Sequence, residues 1–251
     1  MLKRIVLVDG DEAMKNRLKR AGKNADLDIK MITHNERLPV NSVAVISPDP
    51  DSRSLMDLAG AIARNHDELL RLVADAIDCR EELAPASSLR VMEHAARFGE
   101  ALALPADEQL ALERGALLRD LGKLRIPNSV LLKYALLTHD EWTTVQRHTH
   151  LGADMAKGSD GFKDIEPILR WHHENWDGTG YPDGLEGKAI PTLARIVRIV
   201  DTFCGMTSRR AYRKKIFTVK EASEHLRSEA DKHFDGELLK VFFKEKIGKD
   251  T

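Results

Sequence analysis

The segment RWHHENWDGTGYPDG, Arg170 to Gly184, constrains this chain more than any other. Two adjacent histidines, His172 and His173, lie in a predicted helix that runs into a glycine-rich loop. Glu174 and Asp177 follow at once, which gives the doublet more weight than a lone core or surface histidine would carry. Similar side chains punctuate other helical segments: His148 lies one segment earlier, Asp120 ends another, and Asp201 sits in a later apolar one. An acid buried without a partner is costly. A shared divalent cation removes that cost, because neutral imidazole and carboxylate are good ligands for iron, manganese or zinc. If these side chains share a cation, their helical segments must meet at one point; the other reading leaves each an ordinary core or surface residue.

The rest of the sequence supplies the material. Aromatic residues make up only 5% of the 251, so Leu, Ile, Val and Ala must fill the core. A formal net charge of −1 gives no global attraction to DNA, RNA or an anionic membrane, so an anionic ligand needs a local site. Cys79 and Cys204 define no disulfide framework. No apolar run is long enough for a signal peptide or a membrane span, which predicts a cytoplasmic protein.

Three regions follow from the patterning: a small α/β module over 1–51, a connecting helix over 52–83, and a helical domain over 84–251, giving a mainly α chain. KRIVLVD (Lys3 to Asp9), LDIKMIT and SVAVIS read as strands. The acidic DGDE caps a helix running to about Ala21. In the connecting helix Ile62, Leu69, Ala76 and Leu83 recur every seven residues, either as the seam of a homodimer or as a face packed on its own domain. His66 and Arg80 interrupt that seam. Further on, Leu89, Val91, Ala95, Phe98 and Leu102 share one side of an amphipathic helix. Pro105 opens the next helix and Gly122 closes it, while Thr138 and Glu141 form a capping box. Gly178, Gly180, Gly184 and Gly187 predict tight turns in the loop after the histidines.

The stretch from His172 to Ser208, HHENWDGTGYPDGLEGKAIPTLARIVRIVDTFCGMTS, resembles the signature of the HD-GYP family of phosphodiesterases. LLRDLGKLRIPNSVLLK and HFDGELL fall in the family's order, and the resemblance runs from about Ala84 to Phe243. It implies an all-helical HD domain with a two- or three-metal centre that hydrolyses cyclic di-GMP. The N-terminal β-α-β-β pattern also resembles, more distantly, half of a response-regulator receiver domain. Asp9 matches one acid of that family's pair, Gly10 stands where the second is usual, and Ser47 lies near the phosphoacceptor position. The other reading of that module is a small α/β interaction unit.

Carried over residue by residue, the HD-GYP resemblance is split. Asp120, His148, His172, His173 and Asp201 match metal-ligand positions. The histidine of the family's HD doublet is Arg119 here, and an earlier ligand histidine is Ser87. Cys204 replaces a second aspartate, and TSDRPYR has become TSRRAYR. The missing histidines serve one metal, with Asp120 and Asp201; the other metal is held by Asp120, His148, His172 and His173. His94, two turns beyond Ser87, is about 10 Å away along the axis and too far to substitute.

One divalent metal per chain is therefore expected, with the second site empty and Arg119 either taking the vacated charge or swinging to solvent. Lys123 matches a phosphate-contacting lysine and Tyr181 survives, so catalytic roles would rest on Asp120 and Lys123, with Tyr181 and Arg119 at the ligand. Arg209, Arg210, Arg213 and Lys214 form a basic cluster that either contacts phosphate or guanine or lies solvated. Three functions compete: a regulatory protein that binds cyclic di-GMP or a related nucleotide with little hydrolysis; a weakened phosphodiesterase; and a scaffold for diguanylate cyclase domains.

Overall fold

A computed structural model describes residues 66–81, 86–159, 161–208 and 216–248 with their side chains, and the backbone of 4–8, 28–32, 42–45 and 52–65. The chain divides into two units, Met1–Leu69 and Leu70–Thr251. In the first, strands β1 (Arg4–Val8), β2 (Asp28–Ile32) and β3 (Ser42–Val45) form a parallel sheet in the order β2-β1-β3. Ile5 of β1 stands opposite Ile29 and Val43, so the most continuously apolar strand takes the centre. The helix expected after β1, with Asp9, Gly10 and Ser47, lies outside the described residues.

Helix α1 (Ser52–Arg80) is the connecting helix and stops three residues short of the expected end. Leu83 of the proposed seam lies outside the described residues. The second unit is helical among its described residues: α2 (Ser87–Ala101), α3 (Ala106–Leu118), a 3-10 turn (Leu121–Arg125), α4 (Asn128–Leu131), α5 (His139–Gln146), α6 (His148–Lys157) and α7 (Glu166–Trp171). A second 3-10 turn (Gly187–Ala189) precedes α8 (Thr192–Thr207), α9 (Val219–Ser228) and α10 (Gly236–Lys244). The Thr138–Glu141 capping box forms at α5, and Thr218 with Glu221 repeats it at α9.

Two cores flank the site. Val91, Ala95 and Phe98 of α2 pack with Val200 and Phe203 of α8 and with Leu239 and Phe242 of α10. Ala74 of α1, Leu117 and Leu118 of α3, Ala156 of α6 and Leu169 of α7 form the other. Removing one fully buried ring, such as Phe203 by change to Ala, costs about 3–5 kcal/mol. No helix among the described residues is long and apolar enough to cross a membrane.

Candidate metal centre

The two halves of the site are short irregular segments at helix ends. Arg119 is the C-cap of α3, and Asp120 leads into the 3-10 turn. Gly122 was expected to stop a helix; its role is a close approach. A Cβ there would lie 1.9 Å from the carbonyl oxygen of His148 and 2.5 Å from the backbone nitrogen of Gly152. Only glycine lets the turn lie flat on α6, and that contact sets Asp120 beside His148.

On the other side, α7 ends at Trp171, so His172 is its C-cap and His173 stands in the turn beyond, not within the helix. The loop folds back over them. Glu174, buried, accepts the backbone N–H groups of Asp183 at 2.7 Å and Gly184 at 3.1 Å. Asp177 accepts the N–H and hydroxyl of Thr179, so both acids after the doublet shape the loop. Gly178, Gly184 and Gly187 adopt positive φ. Tyr181 thereby stacks on His173, with ring centroids 4.8 Å apart at 27°.

One ligand atom from each of Asp120, His148, His172 and His173 lies within 4.8 Å of the others. Nδ1 of His148 is 2.7 Å from the carbonyl of Val145, and Nδ1 of His172 is 3.1 Å from those of Ile168 and Leu169. A carbonyl only accepts, so each Nδ1 carries the proton and each Nε2 is left with a lone pair. Both Nε2 atoms are buried and have no hydrogen-bond partner. Such atoms fit a metal. Burial also keeps the rings neutral: it pulls His148 down to about 3, lowers His172, and with the neighbouring imidazoles holds His173 well below the usual range. Burial works against ionisation of Asp120, but Lys123 and Arg119 outweigh it and hold that carboxylate well below its usual range.

Arg119 is 1% exposed. Its Nε donates to Asp201 Oδ1 at 2.7 Å, its Nη2 lies 3.2 Å from Asp120 Oδ2, and its Nη1 reaches the carbonyl of Ala116 at 3.2 Å. Asp201 is thus paired with a guanidinium and stands outside the four-residue group, although the sequence put it among the ligands. Nη1 also reaches Ser88 Oγ at 3.3 Å, so the neighbour of Ser87 makes the contact. Ser87 is buried at the start of α2. His94 packs edge-on against Phe203. Lys123 Nζ lies 3.0 Å from Asp120 Oδ1. Arg198 sits behind the loop, donating to Asn175 Oδ1 at 2.8 Å. Beside Asp201 opens a pocket of about 470 Å³, lined also by Arg198, Met206, Phe217, Glu221 and His225. Arg209, Arg210, Arg213 and Lys214 lie outside the described residues.

Residues 71–238 match the family model described as HD domain. This chain belongs to the HD-domain family. It is 37% identical over 187 residues to a cyclic di-GMP phosphodiesterase response regulator of Xanthomonas campestris pv. campestris, covering 74% of this chain and 49% of that protein. It is 31% identical to 3'3'-cGAMP-specific phosphodiesterase 2 of Vibrio cholerae, covering 69% of this chain and 34% of that one. The chain thus spans about half or less of these relatives' length. A V. cholerae cyclic GMP-AMP phosphodiesterase structure superposes with a TM-score of 0.54 at 21% identity, over 70% of this chain and 47% of that one, which shows the shared HD fold. Motif and relatives agree on an HD-GYP-like member.

Proposed function

We propose that this chain binds a cyclic dinucleotide, cyclic di-GMP or a relative such as 3'3'-cGAMP, at an HD site with one metal, and hydrolyses it little. The observation that carries this is Arg119. A buried guanidinium bridges Asp120 and Asp201 where the family resemblance puts the second metal. Asp120, His148, His172 and His173 would hold iron, manganese or zinc. When bound, that metal supplies Lewis acidity and a water of lowered pKa. Arg119 brings charge but no such water, so the work of a two-metal clamp is halved. The remaining groups suit binding. Lys123 is the phosphate contact, and Tyr181, its hydroxyl kept protonated by burial, presents a donor beside His173.

The intact four-ligand group favours one rival, a weak metal-dependent phosphodiesterase. Elemental analysis, calorimetric titration with each cyclic dinucleotide, and a turnover assay with added iron and manganese separate the two. Binding with a single metal equivalent and negligible turnover supports the proposal; efficient turnover overturns it.

We also infer a homodimer through α1, since Leu69 (60% exposed), Leu72 (64%) and Val73 (38%) line one face of that helix. Their spacing fits a two-stranded seam with an identical helix.

A further inference from the structure

The end of α1 reaches the candidate site through Asp78, Arg80 and Glu81, contacts within about one helical turn that nucleotide binding does not require. Asp78, buried, accepts the backbone N–H and the hydroxyl of Ser88, each at 2.7 Å, and that hydroxyl oxygen accepts in turn from Arg119. Arg80 donates to the carbonyls of Lys123 and Ile126, and to Asn128 Oδ1 at 2.7 Å. It therefore clamps the 3-10 turn that carries Lys123. Glu81, whose N–H continues the helical pattern to Ile77, holds Lys123 Nζ at 2.9 Å through each carboxylate oxygen.

We propose that Glu81 is an internal anion that occupies Lys123 in place of a ligand phosphate, so that the end of α1 gates the site. This rests on the reading of Lys123 as the phosphate contact. An ammonium has three N–H donors. Nζ donates to Glu81 Oε2, and Glu81 Oε1 and Asp120 Oδ1 also lie within 3.0 Å, so two buried carboxylates already offset its single charge. A phosphate drawn to Lys123 meets that negative charge and binds better once one carboxylate leaves. Asp120 cannot leave, because it belongs to the metal group and lies in the same turn as Lys123. Glu81 can, because it lies at the end of a separate helix. Rotation of α1 would draw Glu81 off Lys123, and a phosphate would then restore the neutralising charge. Asp78 and Arg80 link the same motion to Arg119 and to the turn.

The test is calorimetric titration of the full chain with cyclic di-GMP, comparing wild type, Glu81→Gln, Glu81→Asp, Lys123→Met and the double variant Glu81→Gln with Lys123→Met. Glu81→Gln should bind about tenfold more tightly, the gain from freeing one charge-assisted bond. Glu81→Asp should stay near wild type, and Lys123→Met should erase the gain. Glu81→Ala, with the same expectation as Glu81→Gln, guards against a side effect of one substitution. If wild type binds and both neutral variants bind equally or more weakly, Glu81 merely positions Lys123 and the gate is wrong, while the nucleotide reading stands. If no variant binds, both fail.

Discussion

Arg119 is a substitution whose meaning depends on its surroundings. Its Nε, Nη1 and Nη2 each have an acceptor, two of them carboxylates. Breaking a buried pair by removing one partner typically costs about 3–5 kcal/mol, since the other charge is left unpaired. Arg119→Met should lower metal-free stability by about that much, because Asp120 and Asp201 lose the cation they share. Thermal melts of the metal-free protein check this; an unchanged melt would mean the guanidinium neutralises nothing. Ser87→His combined with Arg119→His should add a second metal equivalent, which Arg119→His alone should not, and elemental analysis distinguishes them. The arginine was visible in the sequence because a motif surrounds it. That Ser88 makes the contact was not, because the register of α2 is set by Ala86, which enters the helix with φ of 58°.

At the scale of elements, α1 carries two faces. Ala74 and Ile77 are buried on their own domain, while Leu69, Leu72 and Val73 face outward. The heptad in the sequence could not choose between a dimer seam and intramolecular packing, because the helix has both an exposed apolar face and a buried one. Leu72→Glu should make the protein monomeric in sedimentation velocity and remove any concentration dependence of its melting temperature, as the side chain is exposed within one chain; a monomeric wild type would end the dimer inference. The 3-10 turn was misread for a related reason. Glycine after a helix predicts a stop, but Gly122 is required by the carbonyl of His148, a contact distant in sequence. Gly122→Ala should push the turn off α6, cost about 1–3 kcal/mol by overpacking, and weaken metal uptake because Asp120 moves from His148. Undiminished metal content would show that the turn does not set the ligand spacing.

For the molecule as a whole, the mainly helical class and the three N-terminal β-strands were legible in periodicity, since burial imposes the pattern directly, whereas their parallel pairing was not. The centre was less legible, because its residues lie in turns whose course long-range contacts decide. That arrangement links global stability to pH. His148, His172 and His173 are held neutral, with folded pKa values below the ordinary value of about 6.5. As pH falls below 6.5, the unfolded chain takes up protons at these rings and the folded chain does not. The unfolded state therefore binds more protons, and stability falls with falling pH. The slope approaches about 1.4 kcal/mol per pH unit for each such histidine, and for His148 it persists towards pH 3. Asp120 adds to the loss only at lower pH, because its folded pKa is depressed as well and its stabilisation is full above the unfolded carboxylate value. Bound metal should raise stability at pH 7.5 and lose that advantage in the same window, since protons compete for the same Nε2 lone pairs. Urea denaturation of metal-free and manganese-loaded protein at pH 7.5, 6 and 5 measures both effects. A metal-free midpoint that stays flat over this range would show that the three rings are not held neutral in the fold, and the centre would need another description.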